Sequence, residues 1–271
     1  MSRNRTLLIW LAPLAAFALA FLALPLVRLV ASSASGARGW AIYLDILTNA
    51  RYLGTLVNTV MVSLLVTAAS LAIATTAGLF LARHRFFGRG FLIACLTFPL
   101  AFPGVVVGFL VILLGGRQGL VNDIAREVFN TRAVFAYSSL GLFVGYLYFS
   151  LPRVLLTVMA ATEKLDRDLE DAARALGASA YRVVVDVILP GLAPALIAAG
   201  AIVFATSMGA FGTAFTLATN IDVLPMAIYT EFTLAANVAM ACALSVLLGV
   251  VTWLCLFIAR SLAGGSVAAA G

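Results

Sequence analysis

Residues 163–194 read EKLDRDLEDAARALGASAYRVVVDVILPGLAP. Ten Asp, Glu, Lys or Arg residues fall between Glu163 and Asp186, out of 28 in the whole chain. An apolar run long enough to cross a bilayer lies on each side. A charged side chain at the centre of a bilayer costs roughly 2.5–3.5 kcal/mol, so this interval sits in water while its flanks sit in lipid. The chain therefore reads as a polytopic membrane protein, with this loop facing an aqueous compartment.

Composition agrees. Of 271 residues, 63% are hydrophobic and 10% charged, and the mean hydropathy is +1.11. Soluble domains carry roughly 25% charged residues. Apolar runs of spanning length recur, and they are continuous rather than alternating, which argues against a β-barrel. The net charge of +6 is read as cytoplasmic loops and membrane surfaces, not as a nucleic-acid interface. Cys95, Cys242 and Cys255 lie in apolar spans without metal-ligand spacing and read as small hydrophobes. His84, in RHRFFGR, reads as a solvated loop residue. No metal site is expected.

The expected fold is all-α with six transmembrane helices. Residues 1–31 carry the first: a basic MSRNR, then an apolar run from Leu7 to Val30. A secretory signal has a core of about 7–15 residues; this longer run is read as a retained helix. Residues 32–52 form an outer connector, with Trp40 and Tyr43 suited to the interface. Residues 53–262 hold the other five spans: Leu53–Leu81, Phe91–Leu114, Ala133–Ala161, Ala193–Leu217 and Asn237–Arg260. The loop 162–190 lies between the fourth and fifth. The tail 263–271 is expected to be disordered.

Within the third span, Pro99 and Pro103 stand four apart in FPLAFPG. Each removes an amide donor, so the helix bends or breaks there; a break lining a pathway and an ordinary packed kink both fit. Residues 115–132 are amphipathic, with Ile124 and Val128 on a short helix at the outer surface. Asn220, Asp222 and Glu231 fall in a short outer connector. With the N-terminus in the cytoplasm, eleven basic residues lie inside: Arg3, Arg5, Arg83, Arg85, Arg89, Arg153, Lys164, Arg167, Arg174, Arg182 and Arg260. Six lie outside: Arg28, Arg38, Arg51, Arg117, Arg126 and Arg132. That asymmetry puts the loop 162–190 in the cytoplasm. No internal repeat of the inverted-transporter kind is seen.

Inside the loop, Asp168 is placed as an N-cap, with Glu170 and Asp171 in the positive first turn. Leu169, Ala172, Ala173 and Leu176 follow the i, i+3, i+4, i+7 spacing, giving a short helix one apolar face made mostly of small residues. Gly177 is placed to end it in a left-handed conformation. Ser179 then caps a second short helix, AYRVVVDVIL, closed by Pro190, with Leu189 pushed out of helical geometry. Ordinary connectors are shorter than this. A capped elbow with a small-residue face favours a docking surface over a solvated connector with ordinary caps.

Asp171-Ala172-Ala173, three residues, Gly177, nine residues, Val187, one residue, Leu189-Pro190 resembles the EAA loop of bacterial ABC-importer permeases. Their pattern is Glu-Ala-Ala, three residues, Gly, nine residues, Ile, one residue, Leu-Pro. All spacings match, with Asp171 for Glu and Val187 for Ile. The resemblance implies the type I ABC-importer permease fold in a bacterial inner membrane. It implies that Leu169, Glu170, Asp171, Ala172, Ala173, Arg174, Leu176, Gly177, Val187, Leu189 and Pro190 form the loop that docks on a cytoplasmic ATPase dimer. The implied partners are that ATPase, which holds ATP and Mg, a second permease subunit (a copy or a similar chain) and an extracytoplasmic substrate-binding protein. No cofactor and no enzymatic activity are then expected in this subunit, and the chain has no GxxxxGK[ST] phosphate loop.

Pathway-lining candidates are Asn58, Thr59, Pro99, Pro103, Ser207, Met208, Phe211 and Thr213; Gly209 and Gly212 allow close helix approach. The SMGAFG stretch and Ala227-Ile228-Tyr229 are similar to permeases for polyamines, ferric iron, phosphonates and oxyanions such as sulfate or molybdate, and the expectation leans to polyamine. Two other classes are weighed. A secondary transporter calls for ionisable groups at mid-membrane, and the sequence offers none at sight. A membrane anchor without a pathway has no use for a capped elbow.

Overall fold

The computed structural model describes the backbone of residues 3–217 and 222–262, and side chains from residue 10 to 261 within those ranges. Asn220 and the tail 263–271 lie outside the described residues.

Every regular element among the described residues is helical. The first helix, α1, runs Arg3–Ala18, widens through a π turn Leu19–Ala23 and continues Leu24–Ser33. A 3₁₀ turn, Gly39–Ala41, leads to α2, Ile42–Thr48, and then α3, Ala50–Arg83. The broken third span comprises α4, Arg89–Thr97, a 3₁₀ turn Phe98–Ala101, and α5, Gly104–Gly115. There follow α6, Leu120–Phe129, α7, Ser139–Glu163, and α8, Arg167–Ala175. The next helix enters through Ala180–Arg182 and a π segment Val183–Ile188 and becomes α9, Leu189–Met208. Short helices α10, Phe211–Leu217, and α11, Leu224–Tyr229, with a π turn Thr230–Leu234, precede α12, Val238–Leu262.

Six runs are long and apolar enough to cross a membrane: Trp10–Ser33, Ala50–Arg83, Gly104–Phe129, Ser139–Glu163, Ala180–Met208 and Val238–Ser261. The core lies where α3, α7 and α9 meet. Val62, Val66 and Ala74 of α3 pack with Tyr146, Val154 and Val158 of α7 and with Leu192, Ala199 and Val203 of α9. Small residues set the spacing: a Cβ on Gly78 would lie 2.8 Å from Val158. By contrast, the span window in α1 buries none of its residues inside this chain.

Several sequence expectations shift. The fourth span begins at Ser139 rather than Ala133. Before it the chain is irregular, and Phe135 and Ala136 donate their amides to the Gly115 carbonyl at 2.9 and 3.0 Å. The fifth span runs Ala180–Met208, not Ala193–Leu217, and the second short helix of the elbow is its first turns. Leu189 is helical, with φ −62° and ψ −44°. The π segment explains this: its wider turn lets the Leu189 amide reach the Val184 carbonyl, accommodating Pro190 without ending the helix. The 32–52 connector is partly helical, and Ile42 and Ile46 bury against Leu224, Ala227 and Leu244. In α6, Ile124 and Val128 are exposed, while Asn122 is fully buried. Its amide donates to the Arg117 carbonyl at 2.7 Å and accepts from the Ala133 amide at 3.1 Å, closing the loop around the helix.

Candidate functional site

The loop that opened the sequence reading forms α8 and its turn. Asp166, in extended backbone, accepts from the Asp168 amide at 3.0 Å and is the N-cap; Asp168 sits inside the first turn instead of capping it. At the other end Gly177 has φ +86°. The Gly177 amide donates to the Arg174 carbonyl at 2.9 Å and the Ala178 amide to the Ala173 carbonyl at 3.0 Å, a Schellman stop that only a left-handed residue completes. Ser179 then accepts from the Arg182 amide at 3.4 Å to start the next helix.

The expected apolar face divides in two. Ala173 turns inward against the core, with Ala178 beside it. Leu169, Ala172 and Leu176 face outward and are exposed among the described residues, Leu169 60% and Leu176 90%. On the inner side Glu170 is only 5% exposed. Its carboxylate accepts from the Arg83 guanidinium at the end of α3 and from Arg174 at 3.4 Å, while Arg174 also meets Asp171 at 2.7 Å. One carboxylate, Glu170, thus points in while Leu169 and Leu176 point out beside the exposed Arg167, Asp168, Asp171 and Arg174. Val187 and Leu189 are half-buried and Pro190 exposed, in the stem that joins the elbow to α9.

A cavity of about 370 Å³ opens where two helices are interrupted, at Phe98–Pro103 between α4 and α5 and at Gly209–Ala210 between α9 and α10, against Phe149 and Arg153 of the continuous helix α7. The breaks are stitched together. Tyr146 donates its hydroxyl to the Ala210 carbonyl at 2.9 Å, and Thr213 donates to the Gly104 carbonyl at 2.9 Å. Gly212 lets α10 press against α5, a Cβ there lying 3.0 Å from the Val105 amide nitrogen. Gly209 makes no such approach; it ends α9.

The family model described as binding-protein-dependent transport system inner membrane component matches residues 74–265, which takes in the broken helix, α8 and the cavity. The chain belongs to this family. It is an inner-membrane permease of an ABC importer, similar over much of its length to several such permeases. The molybdenum transport system permease protein ModB of Escherichia coli is 34% identical over 179 residues, 63% of this chain and 77% of that protein. The sulfate transport system permease protein CysT of the same species is 33% identical over 209 residues, 76% of this chain and 72% of that protein. The putative 2-aminoethylphosphonate transport system permease protein PhnU of Salmonella typhi is 29% identical over 250 residues, covering 90% and 86%. Among solved structures, a bacterial alginate ABC transporter in complex with its alginate-bound periplasmic protein matches with TM-score 0.81 at 18% identity, over 98% of this chain and 96% of that one. The MetNI methionine ABC transporter matches with TM-score 0.56 at 19% identity, over 80% and 98%. These likenesses confirm the fold. The polyamine leaning finds no support among these relatives, whose names fit the oxyanion and phosphonate alternatives.

In the permease, Pro99, Phe211 and Thr213 line the cavity; the other pathway candidates lie elsewhere. Thr59 accepts from the Leu224 amide at 2.8 Å and Asn58 donates to the Asp222 carbonyl at 3.1 Å, so both hold the outer turn. Ser207 and Met208 are fully buried in packing. Pro103 takes the N-cap position of α5 and does not line the cavity. The sequence reading missed Arg153, which it assigned to the cytoplasmic set and which lies near the middle of α7 on the cavity. The signal was present: Arg153 is the one charged residue between Ser139 and Thr162.

Proposed function

We propose that this permease forms half of the membrane channel of an ATP-driven importer for a small oxyanion, with molybdate, sulfate or an organophosphonate as the candidate class. The outward, uncovered Leu169-Ala172-Leu176 face of α8 carries the reading. It is the apolar surface expected of a helix seated in a partner's groove, and the buried Arg83–Glu170 ion pair braces that helix against α3. The partner is a cytoplasmic ATPase dimer that holds ATP and Mg. A second permease chain supplies the other half, and a binding protein outside delivers the solute. ATP-driven closure of the ATPases moves α8 as a rigid body, and the membrane helices exchange between inward-open and outward-open states. The N-terminus and α8 share the cytoplasmic side.

The relatives' names and the basic cavity support the anion class. The test is reconstitution of the permease with its ATPase and binding protein in proteoliposomes, followed by ATP-dependent uptake of molybdate, sulfate, 2-aminoethylphosphonate and putrescine. Uptake of one anion and not of putrescine is the expected result; putrescine uptake alone would refute the anion reading.

A further inference from the structure

Arg153 lies ten residues before the end of α7 at Glu163. At about 1.5 Å per residue that is about 15 Å along the helix, half the hydrocarbon thickness of a bilayer. It is half-buried, and its Nη1 donates to the Thr206 hydroxyl at 3.2 Å. Thr206 in turn donates to carbonyls of its own helix, Ile202 at 2.9 Å and Val203 at 3.0 Å. A guanidinium has five N–H donors, so most of them remain for whatever enters. Among the described residues no carboxylate lies within 4.0 Å of it. A charged group at this depth is costly unless something pairs with it.

The rest of the cavity sharpens the point. Its hydroxyls are already engaged, Thr213 on the Gly104 carbonyl at 2.9 Å and Thr206 as above. Phe102, Phe149 and Phe211 stand in the remaining wall and offer no competing hydrogen-bond acceptor from their side chains. The cavity thus combines a planar cation that has no carboxylate partner among the described residues with walls whose own hydroxyls are already engaged.

We propose that Arg153 is the anion-selecting contact of the transport route, receiving an oxyanion across two of its N–H donors as the solute passes the broken helices. Arginine suits this role because its fork matches two oxygens of one anion at once. The inference rests on the oxyanion reading above and adds the residue that enforces it.

The test uses the complete importer in proteoliposomes with labelled sulfate, molybdate and 2-aminoethylphosphonate as probes. Arg153→Gln is expected to lower uptake of the transported anion about ten- to hundredfold, the worth of a charge-assisted contact. ATP hydrolysis stimulated by the loaded binding protein persists. Arg153→Lys, which keeps the charge, recovers part of the uptake. Thr206→Val, which frees the guanidinium from its tie to α9, stays close to wild type. Uptake by Arg153→Gln within about twofold of wild type overturns the proposal. Should Arg153→Gln fail to assemble, the other two variants decide: greater loss in Thr206→Val than in Arg153→Lys marks a helix tie and overturns it, and the reverse order supports it. A wild-type importer that takes up none of the anions refutes the oxyanion reading itself, and this inference with it.

Discussion

Arg83, the last residue of α3, closes an ion pair with Glu170 on α8, the two side chains 18% and 7% exposed. This pair braces α8 laterally against the membrane core, beside the packing of Ala173 and the contact of α8 with the Val183–Ile188 segment. Removing one partner of a buried pair costs about 3–5 kcal/mol. Glu170→Ala should therefore loosen α8 while the six spans stay inserted. Hydrogen exchange reads this directly, with faster exchange confined to α8 and its turn. Joint exchange to Arg83→Glu and Glu170→Arg should restore much of the protection, which loss of packing alone does not predict.

Gly177 gives a second test. A Cβ there meets nothing within 4 Å, yet φ is +86°, so the obstacle is conformational and not steric. A branched side chain in that region costs about 1–2 kcal/mol. Gly177→Val should leave the detergent melting temperature within a few degrees while redirecting the Schellman turn. Uptake falls, and ATP hydrolysis no longer responds to the loaded binding protein. A variant with normal coupling would show that the turn's geometry is dispensable.

Gly108 and Gly249 separate packing from propensity. A Cβ on Gly108 would run into the Thr216 side chain, whereas one on Gly249 meets nothing within 4 Å. Overpacking costs about 1–3 kcal/mol, so Gly108→Ala should lower the melting temperature and disturb the α5–α10 contact beside the cavity. Gly249→Ala should be neutral or slightly stabilising, since alanine is the better helix former by about 1 kcal/mol.

These residues also show what the sequence could disclose. The Asp171-to-Pro190 spacing, Gly177 as the left-handed stop and the break at Pro99–Pro103 are local features, each fixed by backbone chemistry within a few residues, and each was legible. The inward side of α8 was not. Glu170 reads as a first-turn carboxylate in a polar loop, and only the fold brings Arg83 to it from 87 residues away. Leu189 misled for a similar reason: the pre-proline rule is a preference, and the π segment upstream absorbs the proline. Arg153 stood alone in an apolar run, but assigning it to the cavity required two helix breaks from distant stretches to meet beside α7. Among the described candidates for the pathway, local polarity picked out Thr59 and Ser207, which tertiary packing uses as a strut and a buried contact.

Glu231 makes the same point in a testable form. It reads as a solvated connector residue, yet it is 7% exposed and accepts a hydrogen bond from the Tyr52 hydroxyl at 2.7 Å. Tyr52→Phe strands that acceptor and should destabilise the permease by about 1–3 kcal/mol. Glu231→Gln keeps an acceptor for Tyr52 and should cost less. Thermal unfolding of the two variants in one detergent ranks them.

Under the proposed function, the uncovered leucine face of α8 seats against the ATPase and moves with it. The direct measurement is cross-linking from Leu176→Cys, 90% exposed on that face, in a permease whose Cys95, Cys242 and Cys255 are replaced by alanine. In the reconstituted, transport-active importer the thiol should cross-link to the ATPase, with a yield that changes between the nucleotide-free and ATP-bound states. An importer that transports normally while Leu176→Cys cross-links to no ATPase in either state would show that this face does not seat on the ATPase.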